Sequence, residues 1–302
     1  MKKNKTAIII LNYNDSENTI KYVNEIKNYD VLDKIIVVDN LSTKENEMEK
    51  LLTLKKLNDF NKIEIIQSEK NGGYSYGNNY GLKYIEDNYS DEYEYVIISN
   101  PDVSVEENTI LNTIEFLNKN QNVAIASPRM KFVNGYARRS AWKKRKYSID
   151  IANSTRLTQF LLFFLFKSGE YNKEEFELKE LKVHSIAGSF FIAKYNIFKE
   201  IEYFDENTFL FFEEDIIADK LNKIGYDIYS LNTMEFMHYE SQCIGKLYNV
   251  FKKQDLLFNS RIYYHKTYNN INVLQIFILK ILRYVRKFEL LFEIPILKLI
   301  KK

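Results

Sequence analysis

Residues 6–15 read T-A-I-I-I-L-N-Y-N-D, and residues 34–42 read K-I-I-V-V-D-N-L-S. Each is a short run of aliphatic, mostly β-branched residues that breaks abruptly into Asn, Asp or Ser. A run with no polar side to show to water reads as a strand buried on both faces, as in a parallel sheet covered by helices. The same reading applies to residues 62–67 (KIEIIQ), 95–98 (YVII) and 123–126 (VAIA). Between the runs lie helix-like segments near residues 16–27, 44–58, 75–88 and 106–118. Strand and helix alternating at this spacing predicts an α/β fold with a mostly parallel central sheet and helices on both faces.

In such sheets ligands collect beyond the C-terminal ends of the strands. The strands run out into polar loops: Asn12-Tyr13-Asn14-Asp15, then Asp39-Asn40-Leu41-Ser42, then Asn71-Gly72-Gly73, and Asn100-Pro101-Asp102 after the fourth. Four of the nine glycines fall between Gly72 and Gly81, where they let backbone approach a ligand. A dinucleotide site or P-loop would need a glycine-rich turn after the first strand, and Asn12-Tyr13-Asn14 stands there instead. A nucleotidyltransferase is disfavoured for the same reason.

Seven motifs in order then resemble the family 2 inverting glycosyltransferases, GT-A fold enzymes that include bacterial rhamnosyltransferases and other polysaccharide glycosyltransferases. They are I-I-L-N-Y-N (9–14), V-V-D-N-L-S (37–42), N-G-G-Y-S-Y-G-N-N (71–79), N-P-D-V (100–103), A-G-S-F-F-I (187–192), F-D-E-N-T-F-L-F-F-E-E-D (204–215) and H-Y-E-S (238–241). The resemblance implies a nucleotide-sugar donor, UDP- or dTDP-linked, with dTDP-rhamnose the first expectation and a UDP-hexose the second. It assigns Asp39 to the imide N–H of the base, with Asn12 and Tyr13 at the edge of the base pocket. Asn71, Gly72, Gly73 and Asn78 would meet the nucleotide and its diphosphate, with Asn100 and Asp102 close by and Gly188 in the wall of the sugar pocket.

A departing diphosphate gathers negative charge and needs a cation, and hard divalent ions prefer oxygen ligands. The implied cofactor is Mg2+ or Mn2+. Asp102 is its expected ligand, in the place of the family's Asp-X-Asp, and this chain offers one carboxylate there. His238 matches the family's late histidine and is the second expected ligand. Inverting transfer is a single displacement, so one carboxylate must take the proton of the attacking hydroxyl. The resemblance places that base in Glu213-Glu214-Asp215, on a helix running to near Gly225; Asp215 is favoured, with Glu214 as its rival. An acidic helix N-terminus stabilised by the helix dipole is the plainer account of the same three residues.

Between residues 130 and 184 the motif series is interrupted by Arg138-Arg139-Ser140-Ala141-Trp142-Lys143-Lys144-Arg145-Lys146 and by an uncharged apolar run at 157–166. A basic, aromatic cluster beside an apolar run suits a lipid-linked oligosaccharide acceptor in capsule, O-antigen or related polysaccharide synthesis. Nucleic acid is not expected as a partner, because the strand-end motifs already account for the core. The expected organisation is a catalytic domain at 1–242, with its nucleotide-sugar part at about 1–130 and its acceptor side at about 131–242, then a basic amphipathic helical segment at 243–302. The alternative function is an inactive nucleotide-sugar-binding or scaffold protein of a polysaccharide assembly complex.

Composition sets outer limits. With 45% hydrophobic and 28% charged residues the chain is neither disordered nor polytopic in a membrane. The run at 157–166 is too short to span a bilayer and the five apolar residues 7–11 too few for a signal-peptide core, so a cytoplasmic location is expected. A single cysteine, Cys243, excludes an internal disulfide framework. Residues 243–302 hold twelve Lys or Arg against three Asp or Glu, a net +9 on a remainder of −7. That segregation predicts a peripheral, salt-sensitive contact with an anionic membrane at its inner face, made by an apolar-basic helix over 272–300 that Pro295 bends or ends. A homodimer built on the same face is the competing expectation.

Overall fold

The structure, a computed structural model, describes residues 5–57, 61–89, 92–136, 140–163, 169–239 and 249–300. Arg138, Arg139, Glu240, Ser241, Cys243, residues 164–166 of the apolar run and the 242/243 boundary lie outside them.

The first part of the chain lays down β1 (Thr6–Asn12), α1 (Ser16–Ile26), β2 (Lys34–Asp39), α2 (Glu47–Leu57), β3 (Ile63–Gln67), α3 (Gly73–Tyr89), β4 (Tyr95–Ser99), β5 (Val103–Ser104), α4 (Glu107–Lys119) and β6 (Val123–Phe132). A short β7 (Gly135–Tyr136) precedes β8 (Ala141–Trp142), α5 (Tyr147–Ala152) and α6 (Arg156–Leu161). The chain returns through β9 (Glu180–Val183), β10 (Ser185–Ile186), β11 (Phe190–Lys194), α7 (Tyr195–Glu200), α8 (Glu213–Lys223) and β12 (Asp227–His238). Two helices complete it, α9 (Val250–Tyr268) and α10 (Val273–Ile300).

The main sheet has the order β3-β2-β1-β4-β11-β6-β12-β5, with β7 on β6 and β9 on β12. From β3 to β4 it is parallel throughout. Beyond β4 it is mixed, because β11 runs antiparallel between β4 and β6 while β12 lies parallel to β6. Ile8, Ile10 and Val37 face a core closed by Tyr22 and Ile26 of α1, Leu51 of α2 and Ile110 of α4. Ile9, Ile36 and Val38 face the opposite core, with Leu82 of α3, Phe198 of α7 and Leu221 of α8. This two-sided burial is why the strands read as unbroken apolar runs. Fully burying one such isoleucine contributes about 1.5–3 kcal/mol.

The second layer of organisation is less regular. β8 and β10 form a separate antiparallel pair. The face of α9 that carries Tyr264 packs on Phe212 and Ile216 at the start of α8. Helix α10 folds back on α9, with Arg283 and Lys287 both reaching Asp255. Helix α10 runs on to Ile300 with Pro295 inside it, so of the two expectations there, a bend or an end, the end does not occur. Leu291, whose carbonyl loses its helical donor, and Pro295 are both exposed, so water can take the place of the missing N–H.

Candidate active site

Strand register builds the first part of the site. Asn12 stands opposite Asp39, and Asp39 opposite Gln67, so three adjacent parallel strands end in one polar row. Asp39 has no exposed surface. Its carboxylate accepts from Asn12 Nδ2 (2.8 Å), Gln67 Nε2 (2.9 Å), and the Ser42 hydroxyl (2.5 Å) and amide (3.2 Å). Asn12 is itself buried and accepts from the Thr19 hydroxyl, which makes it a brace for Asp39. Beside the row lies a cavity of about 240 Å3 whose lining includes Asp39, Ser42, Lys44 and Gln67. Tyr13 is half-buried next to Asn12.

The glycine loop closes against a distant segment. Gly73 has a φ of +90°, and a Cβ there would lie 2.0 Å from the Phe209 carbonyl oxygen. The close approach lets Tyr74 N–H donate to that same carbonyl (3.0 Å). Asn71 Oδ1 accepts from Gly73 N–H and from Asn40 Nδ2, fixing the loop, including Gly72, over the end of β2. Asn78 sits differently from expectation. It is fully buried, its Nδ2 donates to the Tyr74 carbonyl, and its Oδ1 has no partner, so it holds the first turn of α3 and shows no surface to a ligand.

The expected metal ligands meet. The end of β12 pairs antiparallel with β5 in the register His238 opposite Val103, which brings His238 Nε2 to 3.2 Å from Asp102 Oδ1. The Tyr239 amide donates to the Asp102 carbonyl and secures the junction (2.9 Å). His238 Nδ1 is buried without a partner and the ring lies tilted against Phe132. One carboxylate oxygen and one imidazole nitrogen at this spacing fit a divalent cation that completes its shell with diphosphate oxygens and water. Among the described residues no third His, Cys, Asp or Glu joins them.

Asn100 N–H donates to the Ser189 carbonyl (2.8 Å), tying the Asp102 turn to the residue after Gly188. Gly188 is where the remaining pieces converge. Its amide donates to Glu214 Oε1 (3.0 Å) and its carbonyl accepts from the Tyr74 hydroxyl. A Cβ on Gly188 would come within 2.8 Å of Glu214 Oε1 and 2.9 Å of the Tyr74 oxygen, so only glycine fits.

The three carboxyls at the start of α8 have three environments. The chain enters the helix through Phe211 and Phe212, both left-handed at φ 76° and 72°, a conformation that costs a non-glycine residue about 1–2 kcal/mol. Glu213 is buried with Oε1 unpartnered, and burial raises its pKa well above the ordinary range. Glu214 is partly exposed, and burial, with the neighbouring Asp215 charge, raises its pKa also. Asp215 has no exposed surface and both its oxygens are engaged, by Trp142 Nε1 (2.7 Å) and Ser185 Oγ (3.3 Å) on one side and Arg145 Nε (2.7 Å) on the other. Burial raises the pKa of Asp215, with Arg145 and Trp142 opposing.

Arg145 continues to Asp150 (3.5 Å), which bonds His265 of α9 (2.8 Å) and lies 4.0 Å from Arg261. Within the basic cluster Arg145 turns inward to Asp215, while Lys143 pairs with Glu175 and the exposed Lys144 with Asp219. Sequence reasoning missed Gln67, Tyr74 and the Trp142–Arg145 clamp. Gln67 could have been found by aligning strand ends; the clamp left no local signal.

A parallel half-sheet with polar strand ends, a carboxylate–histidine pair and an acidic helix start facing a bare glycine lie together on a fold of the GT-A kind. The model for glycosyl transferase family 2 matches residues 7–202, and the chain belongs to that family. It is 25% identical over 232 residues to the low-salt glycan biosynthesis hexosyltransferase Agl10 of Haloferax volcanii, over 77% of this chain and 66% of that protein. Similar solved structures include GalNAc-T7 with UDP, GalNAc and Mn2+, at TM-score 0.60 and 17% identity over 79% of this chain and 44% of that one. The mannosyltransferase PcManGT of Pyrobaculum calidifontis, in complex with GDP-Man and Mn2+, matches at TM-score 0.55 and 12% identity over 86% and 63%. TarS 1–349 of S. aureus matches at 0.51 and 15% over 87% and 72%. The chain thus spans less than two thirds of Agl10 and of the first two of these structures.

Proposed function

We propose that the chain is an inverting glycosyltransferase. It moves one sugar from a UDP- or dTDP-sugar, dTDP-rhamnose before UDP-hexose, to a hydroxyl of a lipid-linked oligosaccharide in capsule, O-antigen or related surface polysaccharide synthesis. The observation that carries this reading is Glu214, a partly exposed carboxylate held by the Gly188 amide on the same strand-end edge as Asp102 and His238.

In this reading Asp39 and the cavity beside it receive the base, and the backbone of Asn71, Gly72 and Gly73 meets the phosphates. A divalent cation, Mg2+ or Mn2+, held by Asp102 and His238 would neutralise charge on the departing diphosphate. Glu214 takes the proton from the acceptor hydroxyl as that oxygen attacks the anomeric carbon and the nucleoside diphosphate leaves. Its raised pKa makes it a stronger base than an ordinary carboxylate. Asp215, favoured on sequence grounds, has no surface to offer an acceptor and no free oxygen, so its role is to hold Trp142 and Arg145 in place. A screen of nucleotide sugars with lipid-linked acceptors, the product anomer assigned by NMR, tests the reading. Nucleoside diphosphate release with an inverted anomer is expected. Retention of configuration overturns inversion, and nucleotide binding without any transfer favours the scaffold role.

A further inference from the structure

Asp39, at the end of β2, has no exposed surface, and a carboxylate has about four lone-pair sites. All of them are taken. Oδ1 accepts from Asn12 Nδ2 (2.8 Å) and the Ser42 hydroxyl (2.5 Å), and Oδ2 accepts from the Ser42 amide (3.2 Å) and Gln67 Nε2 (2.9 Å). A base that bonded Asp39 directly would expel one of these donors and leave it unpaired, which is costly in a closed place. Gln67 differs. It stands opposite Asp39 in the register of β2 and β3 and lines the same cavity, but it is exposed.

Among the described residues the Gln67 side chain makes one hydrogen bond, from Nε2 to Asp39, so Oε1 and the second N–H remain for a ligand. That bond also decides which end of the amide is which. A carboxylate only accepts, so Nε2 and not Oε1 faces Asp39, and the amide cannot turn over to suit a ligand of opposite polarity. Gln67 thus presents one acceptor beside one donor in a fixed order. The imide edge of uracil or thymine complements that order, with N3–H beside a carbonyl. In cytosine the same two positions are reversed, a ring nitrogen that accepts beside an amino group that donates.

We propose that Gln67 is the side chain that reads the base, with Oε1 accepting from N3–H and Nε2 donating to the adjacent carbonyl, and that Asp39 is the positioning residue that locks its orientation. This rests on the reading that the base of UDP or dTDP enters the cavity beside Asp39, and it moves the direct contact from Asp39 to Gln67. Titration calorimetry of the full chain with UDP, dTDP and CDP in the presence of Mn2+ tests it, with no sugar or acceptor required. The parent chain is expected to bind UDP and dTDP at least about tenfold more tightly than CDP, which would set acceptor against acceptor and donor against donor. Gln67→Ala, at an exposed position and with three donors left on Asp39, keeps its melting temperature and binds UDP and CDP within about twofold of each other. Asp39→Asn offers Gln67 a donor as well as an acceptor, so the amide can turn and the preference for UDP narrows. A lesion that merely loosened the strand end would weaken both nucleotides alike and leave their ratio unmoved. An unchanged UDP-to-CDP ratio in Gln67→Ala overturns the proposal and returns the contact to Asp39, and equal binding of UDP and CDP by the parent overturns it too. A parent chain that binds none of the three nucleotides overturns the donor reading itself, and this proposal with it.

Discussion

Asn12, Asp39 and Gln67 stand in one row because three parallel strands end together; their positions come from backbone register over short sequence distances. Asp215, Arg145, Asp150 and His265 stand in another row because charges meet across 70 residues of chain at Arg145–Asp215 and 115 at Asp150–His265, with no backbone ladder joining them. The first arrangement is rigid before any side chain is placed. The second exists only when every member is present, since a carboxylate left alone in such a place is costly. Register thus holds the proposed donor side and charge the proposed acceptor side.

The largest test of this contrast separates neighbouring carboxyls. Glu214→Gln should lower turnover by about 10²–10⁴ while nucleotide binding and melting temperature stay near those of the parent. Asp215→Asn should do the reverse. It strands Arg145 and costs about 2 kcal/mol, less than a fully buried pair because Arg145 is 31% exposed, with a far smaller fall in turnover. If Asp215→Asn abolishes turnover and Glu214→Gln does not, the assignment of charge to structure and exposure to chemistry is broken.

On the donor side the sharpest probe is Gly73→Ala. Its Cβ would collide with the Phe209 carbonyl at a φ of +90°, so a loss of about 2–4 kcal/mol in urea unfolding is expected. Gly135→Ala, at φ +121° with nothing within 4 Å, carries only the backbone term and should cost about 1 kcal/mol. Equal costs at the two glycines would show that the contact with Phe209 does not hold the loop.

The smallest effect is one of pH. Burial alone would raise the pKa of Asp150, but Arg261, His265 and Arg145 outweigh it and hold the group at about 2. A depressed folded pKa means the stabilisation is complete above the unfolded value of about 3.9 and disappears as pH falls through the folded value. Trp142 is the chain's one tryptophan and sits at the far end of this chain of contacts. Its emission should therefore shift between about pH 4 and about 2, and the shift should be absent in Asp150→Asn. An identical transition in that variant would place the acid-sensitive group elsewhere.

The same contrast explains which features the sequence makes legible. The strands of the parallel half and the glycine loop can be read directly, because burial on both faces and a need for bare backbone leave local marks. The approach of Asp102 to His238 comes from the order of motifs and is completed by two residues of pairing between β5 and β12. The choice between Glu214 and Asp215 is not legible. One turn of helix offers both, and only the fold shows which one meets Arg145. Net charge is silent on pairing: Asp255, Glu289 and Glu293, the three acids already counted in the +9, meet Arg283, Arg286 and Lys287 once α9 and α10 lie side by side. The same docking leaves α10 continuous through Pro295.

The bond between His265 and Asp150 also has a meaning in time. The two residues are 115 positions apart, and a ribosome adding about 5–20 residues per second delivers the second roughly 6–23 s after the first. Throughout that interval the parallel half of the sheet can already be assembled, while Asp150 lacks two of its neutralising partners. The charge row around Asp150, on the proposed acceptor side, therefore matures late, once the C-terminal helix α9 has been made.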